Sequence, residues 1–372
     1  MEVSMKIIIG ADVVPTAFSE PLFKEQQAEK LFSDVLPIMQ NADRTIVNLE
    51  CALTEANTPI AKFGPNLKAH PDCAKTLKLA GVTDVMLANN HVFDFGTDGL
   101  VDTVEALKNV GLPYAGVGND DVESREIYYI EHEGKKIGIV NVSEHEYAYA
   151  TPNRMGANPF DPFLTMQDVR KAKKNSDFVI VIYHGGKEHC QYPSPRLRNL
   201  CQEIVFNGAS VVLCQHSHCI GCYEKINGGH IVYGQGNFHF AFEGAKTELW
   251  DTALLVELNI NDEIDVTFHP IVRDNASVSL AKGETYHKIM NGFAKRNESL
   301  YNGEWKKGWH DFCVSVRENY DSVIYNATKD AEERTKQHFA HYLDCEAHTD
   351  VWRELFPTWN YTNDLDNPGR IK

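Results

Sequence analysis

Five short apolar runs in this chain each end in residues that bind metals or move protons. Residues 6–11 lead to Asp12, 45–49 to Glu50, 84–88 to Asn90 and His91, 178–183 to His184, and 211–214 to His216 and His218. Each run is rich in Val and Ile and too short for a helix, so it reads as a strand buried on both faces. Amphipathic stretches lie between them. One spans 71–81, opening on Pro71 and closing on Gly81; another spans 98–111, with Leu100, Val104 and Leu107 on one face and Gly111 at its end. Strands alternating with helices predict an α/β fold. Parallel strands in such folds deliver their C-terminal ends to one edge, where ligands bind, so these distant residues are expected to converge.

Hairpins are expected at 125–141 around Glu133-Gly134, at 221–233 around Asn227-Gly228-Gly229, and between 252–258 and 263–271 across Asn261-Asp262. An alternating core flanked by hairpins predicts two packed sheets with helices outside. Residues 143–164 carry three prolines and no periodicity, and are expected to form a loop or lid over a site. From about Ala281 the chain turns helical and polar, with helices expected at 287–295, 309–320 and 331–343 and extended chain after Pro357. The expected division is a core domain at 5–272 and a helical C-terminal extension at 281–372, packed on that core.

The 372 residues hold 36 Lys+Arg against 52 Asp+Glu, a formal charge of −16. That balance excludes the basic face that nucleic acid or an anionic membrane requires, so no nucleic-acid partner is expected. No run of ~18 apolar residues is present, so no membrane anchor is expected. The opening passes straight into a strand without the segments of a signal peptide, which predicts a cytoplasmic protein. Nothing in the pattern sets an oligomeric state. Nine cysteines, an odd number scattered through apolar runs, fit reduced buried thiols. Cys214, Cys219 and Cys222 match an iron–sulfur spacing, but no fourth ligand is evident and histidines interrupt the segment.

Each strand-end residue has a bland reading taken alone: an Asp after a strand caps a helix, and a lone His is an ordinary core or surface residue. The recurrence is what argues otherwise. His, carboxylate and carboxamide without thiolate suit one or two divalent ions such as Mn, Fe or Zn, and a carboxylate can bridge a pair. Hydrolysis of a phosphate ester is the reaction such a pair performs most naturally.

The segments LKLAGVTDVMLANNHVFDFGTDGLVDTVEALKNVGLPYAGVG and YHGGKEHCQYPSPRLRNLCQEIVFNGASVVLCQHSHCIGCYEKINGGHIVYGQGNFHF carry an NNH-x-x-D-x-G motif, His-x-Gly-x-x-Glu, His-x-His and a final Gly-Asn-Phe. Over residues 5–272 the chain resembles the CapA (poly-γ-glutamate capsule biosynthesis, PGA_cap) family, which is similar to the calcineurin-like metallophosphoesterases. The resemblance implies a four-layer αββα sandwich with a two-metal centre. It implies Asp12 in the first metal motif, Glu50 as bridging carboxylate, and Asn90, His184, His216 and His218 as further ligands. His91 would protonate the leaving group, with Asp94 orienting it. Two positions depart from the phosphoesterase pattern: Val14 stands where a His is usual, and Glu50 where an Asp is usual. Glu188 or His189 could replace the missing imidazole.

Asn237 reads either as a turn residue or as a substrate-positioning group, Glu188 as a motif residue near substrate, and Arg154 as a clamp for phosphate or carboxylate. His70 and His239 are read as structural. The expected function is a metal-dependent hydrolase acting on a phosphoester, with a small-molecule or polymer substrate. A non-catalytic capsule-assembly or polymer-binding subunit is the alternative, and hydrolysis of a γ-glutamyl amide a third reading.

Overall fold

Ile7, Ile8 and Ile9 point alternately to opposite sides of an extended chain, and all three are fully buried, so strand Met5–Val14 must be covered on both faces. It lies inside the first sheet of a computed structural model that describes residues 5–244, 246–328 and 331–357. Strands Arg44–Leu49 and Asp84–Met86 follow it in parallel on one side; Thr252–Ile260 runs antiparallel on the other, followed by Ile264–Asp274 and Ser277–Leu280. Asn237–Phe240 pairs beside its last residues. The second sheet has Lys135–Ser143, Phe178–His184 and Val211–Gln215 in parallel at its centre, flanked by Tyr128–His132 on one side and Gly229–Val232 and Tyr223–Ile226 on the other.

Side-chain alternation divides the core into layers. Ile7, Ile9, Ile46 and Met86 of the first sheet meet Ile139, Ile180, Ile182 and Leu213 of the second. Ile8, Val47 and Val85 face away, against Phe23, Leu31, Leu77, Leu100 and Leu107 of the helical layer. Val179, Val181 and Val212 pack outward on Val169, Leu197 and Ile204. This is the four-layer αββα sandwich, and each fully buried aliphatic side chain contributes roughly 1.5–3 kcal/mol to it.

Local signals set the element ends. Helices Cys73–Leu79 and Gly96–Asn109 stop before Gly81 and Gly111, whose φ values of +92° and +66° lie in the left-handed region that a glycine adopts without strain. The Tyr223–Ile226/Gly229–Val232 hairpin turns through Asn227 and Gly228, both at positive φ.

The structure departs from the sequence expectations in three places. The second strand of the 125–141 hairpin runs on to Ser143 and also pairs in parallel with Phe178–His184, so its C-terminal end reaches the same rim as the others. The following loop is not a free lid, because Ala148, Ala150, Ala157 and Phe160 are buried. The C-terminal region forms helices Gly283–Asn302, Trp305–Ser315, Arg317–Asn326, Glu333–Asp344 and Glu346–Leu355; Val316, with φ −101° and ψ 4°, breaks the helix expected at 309–320 in two. The expected extended tail beyond Pro357 lies outside the described residues.

Candidate metal centre

The parallel strands of both sheets end on one rim, and the strand-end residues gather there. Strand Met5–Val14 shifts register against both parallel neighbours around Asp12, and such irregularities re-aim a side chain. Asp12 Oδ1 lies 3.6 Å from His184 Nδ1, while its Oδ2 lies 3.6 Å from His218 Nδ1 and accepts the His216 backbone N–H at 3.1 Å. His184 Nε2 lies 3.3 Å from Glu50 Oε1 and 3.0 Å from Asn90 Oδ1. The His184 and His216 rings are 4.8 Å apart. All six residues are buried, none more than 6% exposed.

The backbone is bent to achieve this. His216 and His218 sit at φ +81° and +51°, a region that costs a residue with a side chain about 1–3 kcal/mol. Both imidazoles are thereby turned back into the pocket. The adjoining loop needs Gly186 at φ +100°, and its amide donates to Glu144 Oε2 at 3.0 Å.

Three polar atoms in the pocket are buried without a hydrogen-bond partner among the described residues: Glu50 Oε1, Glu50 Oε2 and His216 Nδ1. Native proteins rarely leave such atoms unsatisfied, so each requires an explanation. Two groups of metal-capable side chains, Asp12–Glu50–His184 and Glu50–His216–His218, have their ligand atoms within 4.8 Å of one another and share Glu50. Burial, aided by the Glu50 charge, pushes Asp12 up to about 6, and burial pushes Glu50 up to about 7. Burial likewise pushes His184 and His218 down to about 3. Burial also opposes the charging of His216, but Glu146, with Glu188 and Glu50, outweighs it and raises His216 to about 10. Carboxylates and imidazoles converging without a metal ion are penalised by desolvation, and a divalent ion relieves that penalty while satisfying the orphaned atoms. The donor set therefore fits the implied metal.

The remaining predicted site residues fall into two groups. His91 Nδ1 lies 2.6 Å from Asp94 Oδ2, which also accepts the Leu67 amide at 2.6 Å. Lys62 donates to Asp94 Oδ1 and lies 3.1 Å from His91 Nδ1, so a buried cation joins the pair. Asn237 is engaged at both ends within the protein: its Oδ1 lies 2.9 Å from His218 Nδ1, and its Nδ2 donates to the Trp250 carbonyl at 3.1 Å. Arg154 lies over the rings of Phe93 and Tyr149 and donates to the Tyr149 carbonyl. Glu188 is half-exposed at the rim, 3.6 Å from Lys187 Nζ, and the His189 ring lies 6.2 Å from that of His218. Neither belongs to the metal-capable groups found among the described residues. Cys214 packs on Cys201 and Cys222 on the Gln191 carbonyl, well inside the protein.

Residues 7–241 match the family model described as "Bacterial capsule synthesis protein PGA_cap". The chain belongs to this family. Among curated relatives it is similar to the capsule biosynthesis protein CapA of Bacillus anthracis, at 31% identity over 62% of this chain and 58% of the relative. It is also similar to the PGA biosynthesis protein CapA of Bacillus subtilis, at 30% identity over 66% of this chain and 65% of that one. In both cases the match spans less than two thirds of the relative. Among solved structures, a putative 5'-nucleotidase from Staphylococcus aureus aligns with a TM-score of 0.45 and 14% identity, over 78% of this chain and 58% of that one.

Four residues at this PGA_cap centre escaped the sequence reading. Asn48 Nδ2 donates to Asp12 Oδ1 at 2.7 Å, and its Oδ1 accepts from Asn89 Nδ2 at 3.0 Å; Asn89 Oδ1 in turn accepts the His91 amide at 3.0 Å. Lys62 has no local signal, being one lysine in a loop. Glu146 faces His216 and Asn90, and it had a signal: it stands three residues beyond strand Lys135–Ser143, whose C-terminal end joins the same rim.

Proposed function

We propose that this PGA_cap chain is a hydrolase that uses one or two divalent ions, Mn, Fe or Zn, to cleave a phosphoester. The observation that carries the reading is the set of buried, unpartnered ligand atoms on Glu50 and His216, at the junction of two groups that share Glu50. Asp12, Glu50, Asn90, His184, His216 and His218 would hold the metal. Ions bound there would supply Lewis-acid stabilisation to the oxygens that enter and leave phosphorus. His91, its Nδ1 held by Asp94 at 2.6 Å, keeps Nε2 available to protonate the leaving group. Lys62, on the same carboxylate, would stand close to the departing oxygen. The capsule and PGA biosynthesis names of the relatives support a polymer substrate, and the substrate of this reading is a small molecule or polymer carrying a phosphoester or γ-glutamyl group. In this reading 5–272 is the catalytic domain and 281–372 an extension packed upon it.

Purified protein is expected to contain transition metal by elemental analysis. Hydrolysis of p-nitrophenyl phosphate or bis-p-nitrophenyl phosphate should disappear on chelation and return with metal, and His91→Ala should lower kcat by roughly 10²–10⁴-fold. Protein that refuses Mn, Fe and Zn overturns the reading, and cleavage of γ-glutamyl anilide alone moves the reaction to an amide. Val14, buried where the superfamily pattern has an imidazole, favours a second reading, a capsule-assembly or polymer-binding subunit with a decayed centre. Full function in His218→Ala, with co-purification of a membrane ligase, would select it.

A further inference from the structure

Glu146 lies outside every metal-capable group found among the described residues, yet its side chain, 11% exposed, packs against two of the proposed ligands. Its Oε1 is 3.1 Å from His216 Nε2, and its Oε2 accepts from Asn90 Nδ2 at 2.9 Å. An ionised carboxylate only accepts hydrogen bonds, so each contact fixes the partner. His216 must carry a proton on Nε2, which leaves Nδ1, the atom that is buried without a partner, as the nitrogen that can give up its proton and donate to an ion. Asn90 must present its amide nitrogen to Glu146, which turns Oδ1 inward, 3.0 Å from His184 Nε2. One side chain thus selects the donor atom of two ligands.

We propose that Glu146 is a positioning residue for the metal centre: a single carboxylate that sets the His216 tautomer and the Asn90 amide orientation, so that both direct their lone pairs at the ion. The inference rests on the metal-centre reading above. Metal-bound histidines commonly donate their second ring N–H to a carboxylate, which orients the ring and raises its basicity. Here the carboxylate comes from the 144–149 segment, and that segment is fixed by the C-terminal helices. Cys345 Sγ lies 3.9 Å from Glu146 Oε1, Glu346 pairs with His145, Tyr147 stacks on His341, and Tyr149 donates to Asp344. Glu146→Gln keeps the shape but places an NH2 group against one of the two donors, so only one ligand stays aligned.

The test is titration of Mn²⁺ and Co²⁺ into the metal-free 372-residue chain, with calorimetry and the visible spectrum of the Co²⁺ form. Glu146→Gln should bind about 10–100-fold more weakly and show altered d–d bands, while its metal-free melting temperature stays near that of the wild type. Glu146→Asp, which retains the carboxylate, should recover part of the affinity. Unchanged affinity and spectrum in Glu146→Gln, beside a wild type that loads normally, overturn this inference alone. A wild type that takes up no ion overturns the metal centre and this inference with it. Should Glu146→Gln not fold, ¹⁵N spectra of the Zn²⁺-loaded wild type decide: a proton on His216 Nε2 with metal on Nδ1 supports the assignment, and the reverse defeats it.

Discussion

His239 tests how far a buried imidazole outside the centre can be read from chemistry alone. It is fully buried, its ring centroid is 5.0 Å from that of Phe23 and 5.5 Å from that of Phe32, and Nε2 lies 2.9 Å from the Ala276 carbonyl. Burial pushes it from 6.5 down to about 4. The unfolded chain takes up a proton near 6.5 while the folded chain refuses it until about 4, so this contribution is complete above 6.5 and is lost as pH falls through that window. The full swing is on the order of 3 kcal/mol. Urea unfolding of wild type and His239→Phe between pH 7 and 4 should show a shallower acid loss in the variant; identical slopes would rule the effect out. A lone histidine in an aromatic run was legible as structural because nothing near it in the sequence recurs. The six proposed ligands were legible because they do recur, each at the end of a β-branched run. Lys62 and Asn48 were not: one is a single lysine in a loop and the other lies within a strand, and only tertiary packing brings them to Asp94 and Asp12.

Elements were most legible where local and global demands agree, as at the glycine-ended helices and the Asn-Gly turn. They were least legible where a helix is defined by its docking. Glu346–Leu355 was not expected at all, although its Asp350 takes Ser194 Oγ at 2.6 Å and Arg196 Nε at 2.9 Å. Short helices draw their stability from packing rather than propensity, so such a segment leaves a weak trace in sequence. Its first residue makes a testable contact. Glu346 accepts the His145 backbone amide at 2.8 Å and lies 2.7 Å from His145 Nδ1, and that hydrogen bond raises His145 above its ordinary 6.5. The pair's contribution is complete below 6.5 and fades as pH rises through the higher folded value. Glu346→Ala should cost about 1–2 kcal/mol at pH 6 and less at pH 9. It should also weaken metal binding by a smaller factor than Glu146→Gln, because it loosens the segment without removing the carboxylate. Chemical denaturation at both pH values, with the same metal titration, measures both effects; equal destabilisation at pH 6 and pH 9 would remove the ion pair from the account.

At the scale of the whole molecule, two sheets contribute the proposed ligands to one pocket: Asp12 lies near the end of a strand of the first sheet and Glu50 and Asn90 follow others, while His184 ends a strand of the second and His216 follows one. An ion there would tie together strand ends from both halves of the sandwich, so its binding would belong to the folded state. Ligands specific to the native state stabilise it by mass action, by about 2.7 kcal/mol at a free concentration one hundred times Kd. For a chain of this size that is a rise in melting temperature of about 3–4 °C. The metal-free protein should therefore melt below the Mn²⁺- or Zn²⁺-loaded form, with a gap that grows with the logarithm of free ion. Val14 supplies no imidazole on the Asp12 side, so Asp12→Asn should narrow the gap only in part. Glu50→Gln, which touches both groups, should close most of it. A melting temperature indifferent to metal in the wild type, or an equal loss from the two substitutions, would show that the sheets do not share their cation through Glu50.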